Sequence, residues 1–256
     1  MPLPNPLTVF VRLIKPVQIP GLLLSIGIFL FVLMAVNALF AHSPVLEVTT
    51  IWSDPYYRHI TKFSFYQAAL STLLSVLFAI PISHALFRRE FRGKALLLKL
   101  FATTLVLPVL VAVFGLLAIY GNSGVLAGVF EYFNSVLPFS IFGLNGILLA
   151  HVFFNLPFAC RLFLQALNAI PDKQHQLATH LGMKHWNKFR FVEWPQIVAQ
   201  LPHAAGLIFM LCFTSFATVM ALGGGPKSTT IELAIYQAIK FDFDLQTGAL
   251  LALWQI

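Results

Sequence analysis

Five stretches of the chain are predominantly apolar for about 20 residues or more, at about 20–41, 63–87, 96–119, 143–165 and 197–222, and another apolar run starts near Thr247. About 20 residues at a 1.5 Å rise cross a hydrocarbon core, where a backbone must satisfy its own hydrogen bonds, so these runs predict transmembrane helices. The last run is cut at Ile256, inside what reads as a sixth span, so the expectation is one part of a longer polypeptide. Arg12 and Lys15 precede the first run as basic residues precede a signal peptide, but the run is too long for an h-region and predicts an uncleaved helix. The predicted fold class is all-α, a polytopic membrane helix bundle. Residues 1–62 hold the first helix and a loop, and 63–256 hold the remaining spans.

The polar intervals give the orientation. Of the 16 Lys and Arg, 12 fall before the first run, between runs two and three, or at the end of run four and after it, in the segments around Arg88, Lys94, Arg161 and Lys184. The opposite intervals hold only Arg58, Lys62, Lys227 and Lys240, with six of the nine acids. Lys and Arg concentrate in cytoplasmic loops, which predicts a cytoplasmic N-terminus.

Composition then excludes several function classes. With 59% hydrophobic and 10% charged residues and a mean hydropathy of +0.84, the chain lacks the polar surface of a soluble enzyme. A formal charge of +7 would suggest nucleic acid, but the loop asymmetry accounts for it and no nucleic-acid partner is expected. Cys160 and Cys212 sit within or at the end of apolar runs, against both a disulfide framework and a thiolate metal site.

One polar stretch is unusually long for such a chain. Residues 166–196 parse as two short amphipathic helices: Asp172 to Leu181, stopped by Gly182, then about Lys184 to Trp194, stopped by Pro195. Leu177 and Leu181 share a face, and Trp186, Phe189 and Phe191 give the second helix an apolar side among basic residues. Amphipathicity alone fits two readings equally, a hairpin that enters a partner's groove or one that lies on the membrane surface.

The hairpin also carries a spaced pattern: Gln176, Leu177, Ala178, then Gly182, then Val192, Trp194 and Pro195. It resembles the E-A-A, three residues, Gly, nine residues, I-x-L-P motif of binding-protein-dependent ABC importer permeases. Ala178, Gly182 and Pro195 match it, whereas Gln176, Leu177 and Trp194 depart from it. SFYQAALSTLLSVLFAIPISHALFRREF, LPVLVAVFGLLAIYG, NGILLAHVFFNLPFACRLFLQAL and LGGGPKSTTIELAIYQA look like the thiamine permeases of that family, which sit beside those for ferric iron, polyamines or sulfate. The resemblance implies a type I importer fold and a role that is not enzymatic. It implies a hairpin that docks on a separate ATPase dimer, a periplasmic thiamine-binding protein, and a second permease half. No cofactor is implied.

His151 and Asn155, one turn apart in run four beside Pro157, are the candidate pore residues, since polar groups within spans usually face a bundle interior. The alternative is that they bond a neighbouring helix or a carbonyl freed by Pro157. The histidines at 175, 180, 185 and 203 lack an i, i+4 pair backed by a carboxylate, so no metal site is expected. Gly223 to Ser228 is not a phosphate loop, because Pro226 stands where that motif needs Gly before Lys227. No nucleophile, base and acid cluster on one membrane side. An ion-coupled carrier would need acids in the bilayer, and all nine map to loops or the chain's edges.

Overall fold

The computed structural model describes residues 19–42, 52–135 and 138–255; Arg12, Lys15 and Glu47, the last one of the six acids counted above for orientation, lie outside them. In chain order the helices are α1 (Ile19–His42), α2 (Pro55–Arg88), α3 (Lys94–Thr103), α4 (Val109–Tyr120), α5 (Val125–Tyr132), α6 (Leu144–Asn168), α7 (Asp172–His180) and α8 (His185–Lys188). A π-helical turn, Phe189–Glu193, follows, then α9 (Trp194–Phe213), α10 (Phe216–Leu222), α11 (Ile231–Lys240) and α12 (Leu245–Gln255). Among the described residues five helical stretches are long and apolar enough to cross a membrane: Pro20–Ala41, Pro55–Arg88, Val109–Tyr132, Leu144–Asn168 and His185–Phe213.

The chain forms two compact units, one of Met1–Thr49 with Ile235–Ile256, the other of Thr50–Ala234. Within the first, α1 packs on α12. Asp244 starts α12 by accepting bonds from the Thr247 hydroxyl at 2.6 Å and from the Thr247 and Gln246 amides, and these bonds hold its carboxyl below the usual carboxylate range.

Within the second unit α2, α6 and α9 form the core. Asp54 caps α2 by accepting from the Tyr56 amide at 2.7 Å, with Pro55 in the first turn, so the helix starts eight residues before the apolar run does. Lipid tails are as apolar as leucine, so helices gain by close packing of small residues. Ala68, Ser71, Ser75 and Ala79 are fully buried on α2, as are Ala159 and Phe163 on α6 and Ile197 and Ile208 on α9. Ser71 and Ser75, one turn apart, lie on the face of α2 that the other core helices cover.

Two expected spans are interrupted. The run at 96–119 is not one helix but α3 and α4, parted at 104–108. Pro108 has no amide to donate and disfavours helical backbone at Leu107, while the Thr104 hydroxyl bonds back to the Phe101 carbonyl at 2.9 Å. The run at 197–222 parts at Thr214–Ser215, whose hydroxyls donate to the Met210 and Cys212 carbonyls at 2.8 and 2.7 Å. Hydropathy sees both as continuous because threonine and serine barely lower a window average.

Candidate functional site

The hairpin begins where α6 ends. Its first arm, α7, closes with Gly182 at φ +68°, donating to the Thr179 carbonyl while the Met183 amide donates to Ala178, the paired bonds of a Schellman motif. Ala178 is buried, and Gln176 is exposed beside it. A bond of 2.7 Å from Lys188 Nζ to Thr179 Oγ1 ties the two arms. Leu177, Leu181, Trp186 and Phe191 are each at least 60% exposed and form an apolar ridge, with Phe189 beside the Trp186 ring and the Arg190 guanidinium over the Phe191 ring, each at 5.6 Å.

The second arm differs from the sequence expectation. Pro195 does not end it: α8 widens into the π-helical turn, the Trp194 amide donates to the Phe189 carbonyl, and the chain continues into α9 with Pro195 in its first turn. A proline ring clashes with the carbonyl four residues back, and an added residue in the turn relieves the clash. The hairpin arm and α9 are therefore one continuous helical body from His185 to Phe213. Val192 packs toward the core, and Trp194 lies 5.8 Å from Phe189, ring to ring.

Sequence reasoning missed the group that anchors this turn. Glu193 is fully buried, although its run looked like a polar loop. Its Oε1 is 2.5 Å from Arg88 Nη2, and its Oε2 accepts from His84 Nε2 at 2.9 Å and Arg88 Nε at 3.3 Å. Both partners come from the last turns of α2, and His84 stands edge-on to Phe189 at 4.8 Å. The available signal was one acid between Val192 and Trp194 in a basic segment.

The second polar site lies within the bundle. A cavity of about 490 Å³ opens between the two helix breaks and α6, lined by His151, Asn155, Phe154 and Phe158 from α6, Thr104 from one break and Thr214 and Ser215 from the other. His151 is 2% exposed; its Nδ1 is 2.9 Å from Ser71 Oγ, while its Nε2 has no partner. Asn155 Nδ2 donates to Cys212 Sγ at 3.2 Å. Each residue of this pair bonds a neighbouring helix, and each lines the cavity. The hydroxyl-bearing breaks could not be assigned to it from hydropathy. Among the described residues no cluster of three His, Cys, Asp or Glu could hold a metal.

The glycine segment is a turn. Gly224 and Gly225 take φ +70° and +136°, and His59 Nε2 lies 3.0 Å from the Lys227 carbonyl, which packs the segment on α2.

Residues 73–254 match the family of binding-protein-dependent transport system inner membrane components. The chain belongs to this family. It is therefore a multi-pass component of an inner-membrane transport system, as its five candidate spans require. It is 54% identical over 238 residues to the thiamine transport system permease proteins ThiP of Salmonella typhimurium and Escherichia coli, covering 93% of this chain. It is 48% identical over 235 residues to that of Haemophilus influenzae, covering 92% of this chain. The chain spans about 44% of the length of these relatives. Its fold is that of an ABC transporter chain: in a crystal structure of a bacterial alginate transporter bound to its periplasmic protein, the TM-score is 0.80 at 12% identity, covering 93% of this chain and 88% of that one. A second alginate importer structure gives 0.74 at 11% identity, covering 95% and 92%.

Proposed function

We propose that this chain is a permease unit of an ATP-driven importer that moves thiamine, and its phosphates, into the cytoplasm. The single observation that carries the reading is 54% identity to thiamine permeases over 93% of the chain. The geometry supplies a mechanism for it. The hairpin 172–195, with Gln176 through Pro195 as its docking motif and the exposed ridge from Leu177 to Phe191 as its grip, seats in a cleft of a separate ATPase dimer. The N-terminus is cytoplasmic, on the hairpin's side.

Closure of the ATPase pair on ATP would push the hairpin, and because that arm is continuous with α9, the push reaches the Thr214–Ser215 break along one unbroken helical body. Differential binding of ATP to two arrangements of the bundle then shifts the population between outward-facing and inward-facing states. A periplasmic thiamine-binding protein delivers the cargo, and a second permease unit completes the pore around 63–256. His151 and Asn155 lie on the path. Ferric iron or a polyamine would call for carboxylates, and none lines the cavity among the described residues.

The full-length importer, reconstituted with its ATPase and binding protein, tests this. Thiamine with its binding protein should raise ATP hydrolysis several-fold, and a response to ferric iron or spermidine instead would reassign the cargo.

A further inference from the structure

A second cavity, of about 660 Å³, adjoins the first along α6 and shares Leu105 and Phe158 with it. Its polar lining is Arg161, Gln165 and Asn168, spaced i, i+4 and i+7 on a face of α6 turned roughly a quarter of the way round from His151 and Asn155, with Phe158 between the two faces. Arg161 is exposed and forms no hydrogen bond or ion pair with any described residue. No Asp or Glu lines either cavity among the described residues.

The two cavities ask for different chemistry. The first offers a buried imidazole nitrogen without a partner, an amide and two phenyl rings, a lining suited to a flat nitrogen heterocycle that hydrogen-bonds at its edge. The second offers a fixed fork of guanidinium donors beside two amide groups and no counter-charge. That set is complementary to an oxyanion, above all a phosphate. Phe158 and Leu105 line both cavities, and Arg161 follows Phe158 by three residues, about 4.5 Å along the helix, so one small molecule can reach from the first cavity into the second.

We propose that Arg161, with Gln165 and Asn168, is an anion-binding station on the cargo path, which takes the phosphate of a phosphorylated heteroaromatic cargo whose ring lies between His151 and Phe158. The proposal rests on the importer reading above. A lipid headgroup offers the same phosphate chemistry to an arginine near the end of a span, and the test separates the two sources.

The experiment compares thiamine with thiamine monophosphate as cargo of the full importer, with ATPase and binding protein, in vesicles of phosphatidylcholine alone or with added phosphatidylglycerol. Arg161→Gln should lower the ratio of monophosphate to thiamine uptake about tenfold in either lipid, the loss expected for one charge-assisted bond, and Arg161→Lys should recover part of it. His151→Ala should lower uptake of both cargos and leave the ratio alone. The binding protein's own preference is the same in every variant and cancels from the comparison. An unchanged ratio in Arg161→Gln overturns the station, as does a loss equal for both cargos that depends on phosphatidylglycerol, which would mark a headgroup contact. If the wild type moves neither cargo, the importer reading falls by itself. Equilibrium binding to the purified full chain then decides the site: tighter monophosphate binding by wild type than by Arg161→Gln supports it, and equal binding overturns it.

Discussion

The anchor of the hairpin lies between α2 and the body that contains α9, and the cavity of the bundle lies between α6 and the two helix breaks; both are polar clusters, yet one is closed and the other is left open. At the anchor a buried carboxylate has Oε1 in an ion pair with Arg88, while Oε2 accepts hydrogen bonds from His84 and Arg88. In the cavity the buried imidazole of His151 keeps one nitrogen bonded to Ser71 and the other without a partner. An unpaired buried charge is too costly to persist, so complete pairing of Glu193 marks a joint that must hold its shape. An unpaired neutral nitrogen costs about 1–3 kcal/mol, which a fold tolerates where a water or a ligand completes the bond during use. The contrast fits the proposed importer, in which the first part would transmit force and the second receive cargo.

The strongest way to break the comparison is at the joint. Glu193→Ala leaves Arg88 and His84 facing each other without their anion, and should cost about 3 kcal/mol, the low end for breaking a buried pair because both partners are partly exposed. Thermal unfolding in detergent reads this as a drop in Tm. Replacing all three, as Glu193→Leu with Arg88→Met and His84→Phe, should return most of the stability, since apolar groups of similar volume often substitute for a buried ion cluster at little cost. Stimulated ATP hydrolysis without uptake in that triple variant would show that the joint serves coupling. Normal uptake would reduce it to packing.

How far these two regions could be read from the sequence follows from the kind of signal each leaves. The three unbroken spans at 20–41, 63–87 and 143–165 and the hairpin's Gly182 turn are local events, set by apolar length and by a residue that takes positive φ. The continuity of α8 into α9 is also local, but proline at 195 reads as a stop unless the π-helical turn ahead of it is known, and nothing in Phe189 to Glu193 announces one. Glu193 meets Arg88 and His84 across more than 100 residues, and the cavity forms where breaks at Thr104 and Thr214 happen to face the same side of α6. Pairings of that kind are properties of the packed bundle. Only the α6 half of the cavity, His151 and Asn155, was visible, because polar groups one turn apart in a span stand out.

A smaller effect sharpens the same comparison on the hairpin side. Gly182 holds φ +68° with open space around it, so Gly182→Ala has room for its Cβ but pays the left-handed backbone penalty of about 1 kcal/mol. Gly182→Pro cannot reach that φ and also loses the amide that donates to Thr179. The expected order in ATP-driven uptake is wild type, then alanine reduced severalfold, then proline at background, with all three inserted equally by membrane fractionation. Full uptake by the proline variant would remove the lever from the mechanism.

The smallest expected change lies at the open cluster, and its size is the point. Ser71→Ala removes the partner of His151 Nδ1, and interhelical hydrogen bonds within membranes contribute about 0.6 kcal/mol on average, so unfolding in detergent should shift little. The imidazole, however, is then free to turn in a cavity of about 490 Å³, and its Nε2 is no longer aimed by a bond on the opposite side of the ring. A group that binds cargo depends on that aim more than the fold does. Ser71→Ala should therefore raise the KM for uptake severalfold while Tm moves by only a few degrees, with Ser71→Thr, which keeps a hydroxyl, nearer wild type. If KM stays at the wild-type value while Tm falls instead, His151 belongs to the packing between α2 and α6, and the cavity is an incidental gap beside it.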